Sequence, residues 1–295
     1  MLTRAQWLEA RKDGIGGSDA ATIMGVNPWC SPYTLFLEKS GLVDDVQEDN
    51  ERMLWGRKLE PIVAEHYVEV TERTLVPGVE MLKHHERPHL FANTDRMIAP
   101  CEGHPDKGVY EGKTTSAYNK DDWKDGKVPL YYQVQVQHYL YVNEATWGSV
   151  AVLVGGQEFI WQDVERNDRF LTSYLKKADE FWRRVEDGDP PPMEGHPSER
   201  KALGILHREH VDGKVVDLSA EAAEWMEAMD AAKADEKAAK EVKGKYETML
   251  RGAIGDAMFG RLPDGSGFKL AVEHKKEHVR KASSSRVLRK LKRVP

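Results

Sequence analysis

Hydrophobic positions along the chain keep two rhythms, and each predicts an element where it holds. Behind Asn50-Glu51-Arg52, the residues Met53, Leu54, Trp55, Leu59, Ile62, Val63 and Tyr67 recur at helical spacing, with Glu60 inside the run just before Pro61. A second helical run carries Phe170, Leu171, Tyr174, Leu175, Phe181 and Trp182. Leu75 to Lys83, His89 to Ile98 and Val109 to Thr115 read as strands. Pro100 through Gly108 is turn material, with Pro105-Asp106-Lys107-Gly108 a tight turn. Trp147 to Gly156 and Gln157 to Val164 form a further hairpin around a glycine turn. Together these strands predict one five-strand sheet covered by helices, an α/β architecture whose strand order periodicity alone does not choose.

Other segments are less decided. Pro129 to Val142 alternates Val134 and Val136 with glutamines as a strand would, while its length and leading proline suit a helix. Ser18 fits an N-cap for a helix over Asp19 to Met24 that Gly25 ends, and free amides at such a start equally suit a phosphate. Asp189-Pro190-Pro191-Pro192 is a stiff stretch that divides a core, residues 1–192, from a C-terminal extension, residues 193–295. In the extension, Ser219 caps a helix running to about Arg251, with intermittent apolar contacts that sustain no heptad, and Gly267 to Glu273 reads as a short strand.

The chemistry concentrates at Asp95 and at Glu111-Gly112-Lys113. A hairpin brings the two carboxylates together, and magnesium favours one or two carboxylates plus phosphate and water as oxygen ligands. Lys113, two residues after Glu111, points to the same side of a strand, where it can orient or deprotonate the attacking water and offset negative charge. Taken alone the spacing is weak, since a chain with 31% charged residues also brings such groups together at a solvated hairpin. Other patterns are incomplete. Gly108 to Thr114 ends like a phosphate-binding loop but is one residue short between its glycines, and Gly14-Ile15-Gly16-Gly17 has no apolar strand leading into it. His84, His85 and His89 lie close together without a cysteine or carboxylate at zinc-site spacing nearby.

Composition narrows the class. The 295 residues, 40% of them hydrophobic, are enough for one sizeable core and an appendage. Cys30 and Cys101 are too few for a disulfide framework or an iron–sulfur cluster. No apolar run approaches bilayer length and the first residues lack a signal peptide's apolar core, so a protein that stays where it is made, with no membrane partner, is expected. A formal net charge of -6 is compatible with DNA binding if positive potential is local. Basic residues do crowd the tail, from Lys275 and Lys276 to Lys292 and Arg293, as a DNA-touching arm or a solvated one.

At this point the blocks fall into a register. Arg11 to Ala21, continuing through Gly25-Val26-Asn27-Pro28-Trp29 to Glu38-Lys39-Ser40-Gly41, resembles the opening of YqaJ-type viral recombinases, relatives of phage lambda exonuclease. Trp55-Gly56-Arg57-Lys58-Leu59-Glu60-Pro61, Ala92 to Asp95, Glu111-Gly112-Lys113, Gln135-Val136-Gln137-His138 and Phe181-Trp182 follow in order. The resemblance covers roughly residues 1–192 and is far more specific than any single motif.

The resemblance implies a restriction-endonuclease-like PD-(D/E)xK core with a mixed central sheet flanked by helices, plus a mainly helical C-terminal appendage. It implies that Asp95 and Glu111 bind Mg2+, with Mn2+ a possible substitute, helped by the Gly112 carbonyl. Lys113 becomes the catalytic lysine, Glu60 the helical carboxylate that reaches a metal or its water, and Gln135 a site residue on a helix. Arg11 and Ser18 match positions that grip phosphate near a recessed end. Arg96 stands where the family usually has glycine, which leaves the local turn open. The expected activity is digestion of the 5′-ended strand of linear double-stranded DNA, leaving a 3′ tail for a single-strand annealing protein. A toroidal homo-oligomer, a trimer in relatives, and a cytoplasmic location are the accompanying expectations. Another nuclease of the superfamily, or a noncatalytic recombination scaffold, is the alternative.

Overall fold

The structure, a computed structural model, describes residue 6, residues 9–44 and residues 50–272. The chain forms two compact units, residues 1–208 and 209–295. The first unit runs past the proline stretch at 190–192, because the helix that follows is locked onto the core by buried hydrogen bonds: the Ser31 N–H donates to Ser198 Oγ at 3.1 Å, and Thr34 Oγ1 meets the same oxygen at 2.8 Å.

In chain order the first unit contains α1 (Gly17–Ile23), α2 (Pro32–Lys39), α3 (Glu51–Thr71), β1 (Leu75–Pro77), β2 (Leu82–Lys83), β3 (Phe91–Ala92), β4 (Arg96–Ile98) and β5 (Gly108–Thr115). Then come α4 (Leu130–Val142), β6 (Trp147–Val154), β7 (Glu158–Glu165), α5 (Asp168–Asp187) and α6 (Pro197–Leu206). A five-stranded sheet has the order β1-β4-β5-β6-β7. Its neighbours are antiparallel except β5 and β6, which run parallel and are connected through α4. A parallel pair needs such a crossover.

Period-two alternation divides the core between the two faces of this sheet. Val109, Val150 and Val152 enter the cluster that includes α1, α4 and α5 residues, whereas Tyr110 and Ala151 enter the one built on Val63, Ala64 and Tyr67 of α3. The helix α3 starts where Asn50 Oδ1 accepts the Met53 N–H at 3.1 Å. The ambiguous segment is helical, as the family resemblance implies, and every residue from Val134 to Val142 is buried. A helix covered on all sides has no polar face to reveal its period.

Several sequence expectations need correction. Ser18 is not the cap of α1: Gly16 occupies that position, and Asp19 reaches back to accept the Gly16 N–H at 2.9 Å. Gly25 does follow the helix end, at φ +73°. The strand expected over Leu75 to Lys83 is two strands in different sheets: β1 pairs with β4, and β2 pairs with β3 in a separate ladder. Met81, at φ +52°, and the Met81 N–H donating to Asn93 Oδ1 at 2.9 Å mark the break. The expected strand His89 to Ile98 is interrupted over Asn93 to Asp95, which releases Asp95 from the ladder.

The second unit contains α7 (Glu221–Ile254), with no buried residue, and a small antiparallel ladder of β8 (Phe259–Arg261) and β9 (Gly267–Lys269). Ala220, rather than Ser219, is the N-cap, and no side chain caps this helix. The expected strand from Gly267 is short, and its partner is Phe259–Arg261, for which no strand was expected. The basic tail from Lys275 onward lies outside the described residues. Among the described residues no helix is long and apolar enough to cross a membrane.

Candidate active site

Asp95 immediately precedes β4, and its Oδ2 accepts the Gly112 N–H of β5 at 2.9 Å. That bond ties the first carboxylate to the middle of the second motif. Glu111 and Lys113 share one face of β5, and Lys113 Nζ donates to Glu111 Oε1 at 2.5 Å. From α4, Gln135 Nε2 donates to the same oxygen at 2.7 Å and to the Tyr139 hydroxyl at 3.1 Å. The Lys113 ammonium also stands 4.7 Å from the Tyr132 ring centroid. Glu60 arrives from α3, and its Oε1 lies 3.0 Å from Arg96 Nη1. The two groups pair by charge, and Arg96 opposes the burial and the Asp95 charge that act on Glu60. Arg96 thus compensates Glu60, which a glycine there would not do.

The electrostatics of this cluster are unfavourable as it stands. Burial, then the Asp95 charge, push the Glu111 carboxyl up to about 8, against the pull of Lys113. Burial also raises Asp95, and burial followed by repulsion from Asp95 raises Glu60. Burial alone would depress Lys113, but Glu111, Tyr132 and Asp95 outweigh it and keep the ammonium charged. Glu60 Oε1, Glu111 Oε2 and the Tyr110 hydroxyl are buried here without a hydrogen-bond partner. Buried polar atoms are ordinarily paired, and buried carboxylate oxygens left without a hydrogen bond suit an oxygen-seeking divalent cation. Glu60, Asp95 and Glu111 supply oxygen donors of the kind such an ion takes, while among the described residues only His84, His85 and Glu144 bring three ligand atoms within 4.8 Å of one another.

Arg11 and Ser18 lie together at a neighbouring place. Arg11 Nη2 donates to Asp19 Oδ1 at 2.8 Å and to Ser18 Oγ at 3.3 Å. Lys39 Nζ sits 2.6 Å from Asp19 Oδ2 and donates to the Arg11 carbonyl at 2.7 Å. Burial pushes Asp19 up, but Lys39 and Arg11 win and hold its carboxyl well below the usual range. Tyr139 links the two places, since its ring leaves no room for a side chain at Gly17: a Cβ there would come within 2.4 Å of Cε1. Asp19, Lys39 and Tyr139 drew no site assignment from sequence. Asp19 had a readable signal as a carboxylate in the first turn of a helix, whereas the Lys39 pairing spans twenty positions and had none.

The histidine cluster gains a carboxylate from a distant segment. Ligand atoms of His84, His85 and Glu144 lie within 4.8 Å of one another. His84 Nδ1, however, accepts the Glu86 and Arg87 N–H groups at 3.2 and 3.3 Å, and its ring stacks on Tyr141. His89 is taken by Asp179 at 3.0 Å. None of these is part of the Asp95–Glu111 cluster.

This architecture, a mixed five-stranded sheet flanked by helices, has solved counterparts. Its fold is similar to that of an alkaline exonuclease, LHK-Exo, from Laribacter hongkongensis, with a TM-score of 0.54, 20% identity, and coverage of 63% of this chain and 94% of that one. The same enzyme in complex with dAMP aligns equally well. In sequence, the chain matches the YqaJ-like viral recombinase domain over residues 6–146. It is also 37% identical over 222 residues to an uncharacterized protein, YqaJ, of Bacillus subtilis strain 168, an alignment spanning 74% of this chain and 68% of that protein. The chain belongs to the YqaJ-like viral recombinase family.

Proposed function

We propose that the chain is a metal-dependent exonuclease that digests the 5′-ended strand of linear double-stranded DNA and leaves 3′ single-stranded tails for phage recombination. The observation that carries this reading is the cluster of Glu60, Asp95 and Glu111, with orphaned buried oxygens and Lys113 bonded into it. Asp95 and Glu111, with Glu60 and the Gly112 carbonyl, would hold Mg2+ or Mn2+. Bound there, the cation supplies Lewis acidity at the scissile phosphate and a water of lowered pKa.

The remaining roles belong to the chain's own groups. Lys113, kept protonated, serves as a donor that orients the attacking water and offsets charge developing on the phosphate. Gln135 fixes the rotamer of Glu111 through its amide and is itself held by Tyr139. Arg11 and Ser18, on the other side of Tyr139, grip a phosphate of the substrate end, with Asp19 and Lys39 setting the guanidinium in place. The leaving group is the 3′ oxygen of the terminal nucleotide. The catalytic core, read from the sequence as residues 1–192 with 193–295 as an extension, lies within the first unit, residues 1–208. By family resemblance the working state is a toroidal homo-oligomer around DNA in the cytoplasm, and a single-strand annealing protein takes the tail.

The test is digestion of linear duplex labelled at its 5′ or 3′ end, in magnesium, manganese or chelator. Release of mononucleotide from the 5′ end, abolished by chelator, is the expected result. Equal digestion of circular or single-stranded DNA would instead favour another nuclease of the superfamily, and no digestion at all a scaffold.

A further inference from the structure

The helix α7 is about 50 Å long, and none of its residues is buried. Its sequence gives it little stability alone, since Gly244 and Gly252 weaken it and helices in proteins are held mainly by packing an apolar face. Such a face is present. Trp225, Ala232, Ala239, Tyr246 and Ala253 recur at every seventh residue, which makes one complete seam of a heptad. Trp225 is 64% exposed and Tyr246 56%. The companion seam holds Ala222, Met229 and Leu250 but is interrupted by Glu236 and Lys243, which is why the apolar spacing by itself sustains no heptad.

Charge decides what covers this face. Residues 221–236 carry six carboxylates and one lysine, whereas residues 237–254 carry five basic side chains and two carboxylates. The helix macrodipole accounts for such a bias only within the first and last turns, and this one extends along the whole helix. Laid antiparallel, two copies set the acidic half of each against the basic half of the other. The seams then agree as well: Trp225 of one copy faces Leu250 of the second, and Met229 faces Tyr246. The two interruptions, Glu236 of one copy and Lys243 of the other, fall in neighbouring layers, where opposite charges fix the register. A parallel in-register pair would instead set Glu236 on Glu236 and Lys243 on Lys243. The antiparallel contact is also isologous, so it closes on itself.

We infer that α7 is a self-association helix, along which a second copy of this chain pairs antiparallel, apolar seam to apolar seam. The pairing does not depend on what the first unit cleaves. Whatever cyclic assembly that unit forms, two-fold pairing of α7 doubles it. Sedimentation equilibrium of the full chain reads the association. Replacing Trp225 and Tyr246 together, Trp225→Ala with Tyr246→Ala, should halve the mass of the particle. Glu236→Lys should weaken association about tenfold, and adding Lys243→Glu should bring it back to within about threefold of the unmodified protein. Inside one helix that double reversal breaks the Glu236–Lys240 pair at 2.6 Å and the Lys243–Glu247 pair at 3.6 Å, so recovery reads the contact between copies. None of the substituted side chains is buried, so these variants should keep the fold of the first unit. An unmodified protein with the same mass as the Trp225→Ala, Tyr246→Ala variant would overturn the inference. So would a double charge reversal that associates no better than Glu236→Lys, or a particle that gains mass only when an annealing protein is added.

Discussion

Lowering the pH should expel the divalent cation before it unfolds the protein. Glu111 is 3% exposed, and burial together with Asp95 raises its carboxyl from 4.5 to about 8. Below that value the cation has to displace a proton, so the apparent affinity should fall about tenfold per pH unit, or roughly a hundredfold between pH 8 and pH 6. The stability of the metal-free protein should run the other way. A carboxyl raised on folding holds a proton that the unfolded chain has released, so stability declines as pH rises from 4.5 to 8. The slope is about 1.4 kcal/mol per unit, and the full window is worth at most about 5 kcal/mol, less whatever the Lys113 bond retains. Added magnesium should recover that loss above pH 8. Calorimetric titration with magnesium at pH 6, 7 and 8, in two buffers of different ionisation enthalpy, reads both affinity and proton release. An affinity that changes less than threefold over this range, with no proton released, would refute the reasoning.

Other consequences follow from the same structure. Lys113→Ala and Asp95→Ala should each lower cleavage at least about a hundredfold while circular dichroism stays unchanged; both variants digesting linear duplex at the unmodified rate would remove them from the site. Asp19→Asn leaves Lys39 buried beside Arg11 without its countercharge and should cost about 3 kcal/mol in urea unfolding, a loss that a surface ion pair would not produce. His138 is buried between Tyr174 and the Phe91 carbonyl, and burial lowers it from 6.5 to about 4. The unfolded chain therefore takes up a proton that the folded one refuses, and stability should fall by about 3 kcal/mol as pH drops from 6.5 to 4. A His138→Gln variant should show a shallower decline there.

The parts of the molecule that were legible in its sequence are those with one wet face or one continuous ladder. The helix from Glu51, the hairpin of β6 and β7 and the pairing of β4 with β5 all follow from periodicity and turns: α3 keeps a solvent-facing side, and each strand pair joins neighbours in sequence across a turn. Pro129 to Val142 was not readable from its period, since a helix buried all round has the same apolar content in every direction. Asp95 was readable as chemistry but not as geometry. Its release from a broken strand depends on Asn93 bonding to Met81, a contact across a loop. The same holds for Arg96: only the fold shows that the residue replacing the family's glycine faces Glu60. The phosphate-side pairing of Asp19 with Lys39, and the approach of α6 to Ser31, depend on long-range packing that leaves no local mark.

The central claim is that Glu60, Asp95 and Glu111 share a cation. Anomalous diffraction from crystals grown with Mn2+ tests it most directly. The account predicts a single strong peak among these three carboxylates, within about 2.5 Å of an Asp95 and a Glu111 oxygen. A peak confined to His84, His85 and Glu144, or an acidic cluster empty at millimolar manganese above pH 8, would contradict it.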